Sequence, residues 1–305
     1  MRAVAIVSLT LAGCAATRAA PPPPPPVTRT ASLDELVRVR CAADATEVIT
    51  SWTGTVYAYP RDERPRALFD VVGVNVARCL PIDAGWTLTS RELMYYLAPG
   101  GTTPLRRWRN PWTDVEVPVV HVANRLVQAP LGGGVPLTIA DGRATLSIDV
   151  PLFYPNPLAA DPALAAYGPS PSYQGGEFFT LSVPAAALTA TTAPTMQLTW
   201  HRLGPWLPWM QMGDRPGVLL YRASGRKLGS LDELPAFLRA ELRDRLPLFA
   251  HAPTCVVDAR NQTSWTYFAA HLADYLAGAE FPRPAPVDPD ECPAAARPHG
   301  PAPPP

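Results

Sequence analysis

A chain of 305 residues that is 47% hydrophobic has the material for one large β domain or two ordinary ones. Its 26 basic and 26 acidic residues cancel, which excludes a general attraction to nucleic acid or anionic lipid, and no basic run interleaved with aromatics restores one locally. Proline is over-used, at 39 residues against the ~15 of average usage, which favours short elements over long helices.

Residues 1–13 read as an export signal: Arg2 supplies a positive start, an apolar stretch follows, and Leu11-Ala12-Gly13-Cys14 resembles the lipobox of bacterial lipoproteins. The expectation is a lipid on Cys14 and a protein held in the cell envelope, facing the periplasm, on the outer membrane rather than the inner; a plain secretory peptide is the alternative. No later stretch approaches the ~18 consecutive apolar residues of a spanning helix, so the membrane is a partner only through that anchor. Residues 14–31, with prolines at 21–26, read as the lipidated cysteine and a polyproline II spacer, 32–280 as a single β-rich domain, and 281–305 as a proline-rich tail. The remaining cysteines allow two disulfides beyond an export signal; Cys41 with Cys79 and Cys255 with Cys292 is the preferred pairing of three possible ones, and free thiols are the alternative.

Within the body, Ser32-Leu33-Asp34-Glu35 has the form of a capping box opening a short helix through Arg38. Strands follow at 47–59, 67–80, 87–98, 105–108 and 115–123, the last with Val115, Val117 and Val119 on one face. Residues 137–149 make a hairpin about Asp141-Gly142, whose second arm alternates polar and apolar. Residues 154–176 read as an irregular excursion with one short helix opened by Asp161-Pro162. Strands return at 178–183, 196–201 and 217–223. The period then changes: a second capping box, Ser230 to Glu233, precedes Leu234, Phe237, Leu238, Leu242 and Leu246 at helical spacing, and Trp265, Phe268, Ala269, Leu272 and Leu276 repeat it up to Gly278. The fold class is α+β and mainly β: an antiparallel meander forming a barrel or strongly curved sheet, with two C-terminal amphipathic helices packed on it.

Signatures of common chemistries are missing, including G-x-S-x-G, H-E-x-x-H, paired C-x-x-C and the phosphate-cradling G-x-x-x-x-G-K, so neither a cofactor nor a metal is expected. Aromatic residues instead concentrate in two stretches. One is Arg107-Trp108-Arg109-Asn110-Pro111-Trp112-Thr113 with the following Val-x-His-Val-Ala-Asn of 119–124; the other is Gly204-Pro205-Trp206-Leu207-Pro208-Trp209-Met210, running on through Met212-Gly213-Asp214-Arg215-Pro216-Gly217. Together with the Gly176-Glu177-Phe178 turn and Leu231-Asp232-Glu233-Leu234-Pro235, these stretches resemble the bacterial proteins of domain of unknown function 1838, over roughly residues 32–253. The family's strand commonly continues Asn-Asp-Pro-Val, where this chain has Asn124-Arg125-Leu126-Val127. The resemblance carries over no reaction and no catalytic residue; it is similar to calycin-like barrels, which hold apolar ligands, at the level of fold analogy alone.

Three functional expectations follow. The leading one is a small apolar or aromatic ligand held by Trp108, Trp112, Trp200, Trp206, Trp209 and Met210, with Asn110, His121, Asn124, His201, Asp214 and Arg215 as polar contacts. The second is an isomerase, lyase or hydrolase that uses His121 or His201 as a base beside Asp214 or Glu177. The third is an envelope scaffold acting through its surface and proline-rich tails, with protein partners that the residues do not specify. The plainer reading of each residue stands beside these: the tryptophans as a core plug, His121 as a satisfied core histidine, His201 as a surface one, and Asp214-Arg215 as an ion pair closing a turn.

Overall fold

The computed structural model describes residues 25–83 and 85–285; Cys14, most of the proline spacer, Cys292 and the rest of the tail lie outside the described residues. The strands in chain order are β1 (Val27–Thr30), β2 (Val48–Pro60), β3 (Arg66–Ile82), β4 (Gly85–Leu97), β5 (Arg107–Arg109), β6 (Glu116–Pro118), β7 (Val122–Leu131), β8 (Pro136–Ala140), β9 (Arg143–Pro155), β10 (Ser172–Pro184), β11 (Gln197–Gly204) and β12 (Gly217–Leu228). The helices are α1 (Leu33–Arg40), α2 (Pro162–Ala165), α3 (Ala236–Asp244), α4 (Ser264–Ala270) and α5 (Leu272–Leu276). Ten strands form one antiparallel sheet, β1-β8-β9-β10-β11-β12-β2-β3-β4-β7, curled into a half-barrel; β5 and β6 make a separate ribbon. The expected mainly β fold is therefore found, with 44% strand and 18% helix.

Strand alternation decides what faces the concave side. On β2 the buried residues are Val48, Thr50, Trp52, Val56, Ala58 and Pro60, an alternation interrupted only at half-buried Gly54, as a pleated strand over a core requires. Trp52 lies flat across its neighbours: a Cβ at Gly73 on β3 would overlap its ring, and one at Gly225 on β12 would meet the Ser51 carbonyl, so both positions need glycine for close approach. On β4 the concave side takes Glu92, Met94 and Tyr96, whereas Tyr95 points outward and meets α3, donating to Glu241 Oε2 at 2.8 Å and packing edge-on to Phe237. Covering the outer side explains why the last five residues of β4, Leu93 to Leu97, are apolar on both faces.

The open side of the half-barrel is spanned by helices. The Ser32 capping box forms as expected: Ser32 Oγ accepts from the Glu35 amide, and Glu35 Oε2 accepts from the Ser32 amide. The helix it opens, α1, touches both β7 and β10. Helix α4 also touches β7, while its Trp265 packs edge-on against Tyr173 of β10. Cys41, at the end of α1, is disulfide-bonded to Cys79 on β3 with a Cα separation of 5.7 Å, the first of the two expected pairs. Cys255 is disulfide-bonded too; Cys292, its expected partner, lies outside the described residues.

Four local expectations shift. The sheet begins inside the expected spacer, because Val27–Thr30 pairs with β8. The expected excursion at 154–176 loses both ends to strand: Ser172 to Gly176 pairs with Pro151 to Pro155, and Tyr154 and Tyr173 stack at 4.7 Å. Ser230 caps only one 3-10 turn, since Pro235 lacks an amide hydrogen to continue it, and α3 starts at Ala236. The last expected helix breaks at His271 into α4 and α5.

Candidate functional site

Register builds a polar patch on an otherwise apolar concave face. Asn75 on β3 lies opposite Glu92 on β4, and Glu92 lies opposite Asn124 on β7. The pairing of β4 with β7 shifts between Ser90 and Glu92, an irregularity of the kind that re-aims a side chain. A second row runs Glu177 on β10, Arg202 on β11 and Tyr221 on β12. Curling of the sheet turns the two rows toward each other, so that the charges of Glu177 and Arg202 act on Glu92 from across the interior. Arg40, the last residue of α1, enters from the open side and donates from Nη2 to Asn75 Oδ1 at 3.0 Å.

Arg202 donates from Nη2 to Tyr173 Oη at 2.7 Å, and its Nε lies 3.3 Å from Glu177 Oε1. The guanidinium also sits over the rings of Tyr221 and Trp265, at 5.3 and 5.7 Å. Asn124 Nδ2 donates to Glu92 Oε2 at 3.4 Å, and the hydroxyls of Tyr96 and Tyr221 are 3.1 Å apart. Trp52 and Trp200, with ring centroids 6.0 Å apart, wall the patch toward β2 and β11, and Trp200 continues onto Tyr221. The charges are enclosed without being sealed, for the side chains of Arg202 and Glu177 remain 13% and 28% exposed.

Enclosure sets the protonation chemistry. Burial pushes Glu92 up to about 7; the Glu177 charge adds to the rise, and the Asn124 bond, Arg202 and Arg40 oppose it. Glu177 is raised by burial against the pull of Arg202. Burial lowers Arg40 to about 10, with Glu92 opposing. Glu92 is therefore a carboxyl that exchanges a proton near neutrality. Buried polar atoms around it that have no hydrogen-bond partner include Arg40 Nη1, Trp52 Nε1, Trp200 Nε1, Arg202 Nε, Thr50 Oγ1 and Asn124 Oδ1.

Of the residues singled out from sequence, Glu177, Trp200 and Asn124 line this patch. The others lie elsewhere. Trp209 and Met210 are packed as a plug at one end of the half-barrel, with Trp209 against Phe69, Tyr96 and Trp108 at 5.7, 5.6 and 5.9 Å. Asn110, wholly buried, ties that plug down by donating to the Met210 carbonyl at 2.7 Å and accepting from the Trp112 amide at 2.9 Å. Trp112 and Trp206 pair at 5.5 Å nearer the surface, their indole N–H groups spent on Glu63 and on the Arg215 carbonyl. Arg215 reaches Glu63 at 3.3 Å, so the expected Asp214-Arg215 pair is replaced; Asp214 is exposed.

The two histidines do not assemble a base. His121 is buried, accepts at Nδ1 from the Tyr96 amide at 3.1 Å, stacks on Tyr96 and packs tilted against Tyr95; burial drives its pKa down to about 3, against a backbone hydrogen bond at Leu105, and it stays neutral. His201 is on the convex face of β11, with the neighbours of Arg202's opposite side, so the sheet itself separates it from Glu177. Asp214 and His201 share no hydrogen bond or ion pair among the described residues. A recess of about 330 Å³ opens on the outer edge of β7, against the segment 253–262, and is lined by Arg125, Leu126, Val257, Arg260 and Gln262; none of the tryptophans reaches it.

Sequence reasoning missed Glu92, Arg202, Arg40, Trp52, Tyr96 and Tyr221. The signal was present for one of them: Met196, just before β11, and Leu198 and Trp200 on it mark the apolar face, and the next residue on that face is Arg202, a charge inside an apolar stripe. Glu92 was harder to see, because a charged pair in the middle of the expected strand at 87–98 does not say which face is enclosed; Arg91 faces outward and donates to the His251 carbonyl at 2.7 Å.

No curated protein matches the chain. A family model does, over residues 45–272, which contain every strand of the patch and the aromatic plug, so the chain belongs to the family described as Protein of unknown function (DUF1838).

Proposed function

We propose that the concave face of the half-barrel is a binding site for a small molecule with an aromatic or apolar body. The observation that supports it most directly is the set of buried atoms without partners on one surface: Arg40 Nη1, Trp52 Nε1, Trp200 Nε1 and Asn124 Oδ1. Such atoms each carry a desolvation penalty of about 1–3 kcal/mol that a bound molecule relieves. Trp52, Trp200 and Phe179 give the wall, and Arg202 and Glu177 keep accessible surface at its base.

Native mass spectrometry of the purified protein tests this. A non-covalent adduct is expected on the intact protein, absent from Trp200→Ala and retained by Trp112→Ala, whose ring belongs to the outer pair. An adduct-free protein, or an adduct that survives Trp200→Ala, overturns the reading.

We also propose that the protein works outside the cytoplasm, anchored through a lipid on Cys14. The lipobox-like Leu11-Ala12-Gly13-Cys14 and the Cys41–Cys79 disulfide, a bond that persists in oxidising compartments, support this. Mature protein that begins at an acylated Cys14, with Cys14→Ala shifted from the membrane to the soluble fraction, is the expected result.

A further inference from the structure

We propose that the ligand of the concave site is a small carboxylate, bound with its anionic end between Arg40 and Glu92 and its apolar body against Trp52 and Trp200. This rests on the binding reading above and names the class of molecule. The argument is one of charge and of donors. The enclosed site holds Arg40 and Arg202 against Glu177 and Glu92. Arg202 is ion-paired to Glu177 and bonded to Tyr173, with its Nε outside any hydrogen bond, and Arg40 gives only its Nη2 to Asn75 and leaves Nη1 without an acceptor. The unpartnered indole nitrogens of Trp52 and Trp200 are also donors, and the lone acceptor-only atom among these is Asn124 Oδ1. The unpartnered buried atoms of this surface are mostly donors, which calls for a ligand that offers acceptors.

Charge balance selects the monoanion. Among the charged groups that act on Glu92, the two guanidinium groups face a single carboxylate, Glu177, once Glu92 is protonated, and one ligand carboxylate balances them; Lys227, a further cation beside Arg40 that burial lowers to about 7, is bonded to the Cys41 carbonyl and Thr192 Oγ1 and adds no negative charge to that balance. A cationic ligand would instead need Glu92 ionised and would still leave one positive charge in excess, which a site of low dielectric disfavours. A protonated Glu92 can also donate to one oxygen of the ligand carboxylate, as two carboxyl groups sharing a proton do. The groups that face Glu92 are Arg40 from α1, Arg202 from β11, Glu177 from β10, Asn124 from β7 and Tyr96 from its own strand. Because burial and Glu177 hold Glu92 at about 7, anion binding is coupled to its proton and weakens as pH rises past neutrality.

Calorimetric titration with 3-phenylpropionate, its amide and 3-phenylpropylamine at about pH 6 and about pH 8.5 tests the class. The carboxylate is expected to bind at least ~10-fold more tightly than either analogue, and to lose roughly 10-fold or more at the higher pH. Arg40→Met is expected to abolish the preference. Glu92→Gln, an isostere that keeps position 92 uncharged, is expected to bind the carboxylate equally at both pH values, which keeps the test valid should Arg40→Met fail to fold. Tighter binding of the amine, strengthening with pH, overturns the anion assignment while leaving a binding site in place; equal binding of all three, or a pH dependence that persists in Glu92→Gln, overturns it as well. No binding of any probe by a protein that carries an adduct in native mass spectrometry refutes the class alone, whereas no binding and no adduct refutes the site.

Discussion

The half-barrel contains two aromatic regions that differ in what the rings surround. In the plug, Trp209 meets Phe69, Tyr96 and Trp108, and the polar groups nearby, Asn110 and neutral His121, are bonded to backbone. In the concave patch, Trp52, Trp200 and Tyr221 surround Arg202, Glu177 and Glu92, with Arg40 and Asn124 left incompletely bonded. Aromatic density alone therefore does not mark a ligand site. Charge held inside an apolar wall, with several donors left over beside it, is the better sign, because there one bound molecule satisfies several buried groups at once, whereas the plug leaves the Trp209 indole nitrogen unpartnered and closed in among rings.

Removing the plug should have the largest effect on stability and none on recognition. Trp209→Ala deletes a ring that is 2% exposed and touches three others, so a loss of about 3–5 kcal/mol in urea unfolding is expected, with the mass-spectrometric adduct retained on the folded fraction. Loss of the adduct at full stability would merge the two regions into one site.

The regions should also answer pH with opposite signs. His121 is held down to about 3 by burial, so the unfolded chain takes up a proton that the folded one refuses; its contribution is present above the ordinary value of 6.5 and is lost as pH falls toward 3, by up to about 5 kcal/mol. Glu92 is held up to about 7, so the folded protein keeps a proton that the unfolded chain releases; its contribution is full below the ordinary value of 4.5 and is lost as pH rises to about 7, by up to about 3 kcal/mol. Stability curves measured against pH in His121→Asn and Glu92→Gln separate the two. The first variant should flatten the acid limb and the second the fall between about pH 4.5 and 7. A Glu92→Gln protein with an unchanged curve would mean that Glu92 is solvated and that the concave patch is not enclosed.

What could be read in the chain divides along the same line. The capping box at Ser32, the hairpin at Asp141-Gly142 and the Cys41–Cys79 bridge are local or covalent, and residue types announce them. The mainly β character followed from runs of Val, Thr, Tyr and Trp. The patch was largely hidden because it is made by register. Asn75, Glu92 and Asn124 come from three strands, and nothing in their own neighbourhoods says that β3, β4 and β7 set them side by side. Arg40 is harder still: it looks like an ordinary basic residue in the last turn of a helix, and only the seating of α1 across the open side brings it to Asn75. Asn124 and Trp200 were picked out as members of aromatic-rich segments, which put them in the right place for a reason other than the charges they serve.

The smallest effect should come from the histidine that chemical intuition selects first. His201 interleaves with Trp200 and Arg202 on β11, so it points to the convex side, opposite Phe178 on β10 and Arg222 on β12, and makes no hydrogen bond or ion pair among the described residues. His201→Ala therefore removes a half-buried ring without orphaning any partner. Its expected change in unfolding free energy is within about 0.5 kcal/mol, and the affinity for 3-phenylpropionate at either pH should stay as in the parent protein. The comparison is sharp because Arg202, one residue along, lies on the other face of the same strand, and its replacement by Met should both destabilise the fold and remove binding. If His201→Ala weakened binding as Arg202→Met does, recognition would have to reach through the sheet or occur on its outer surface, and the distinction between a concave site and an inert exterior would fail.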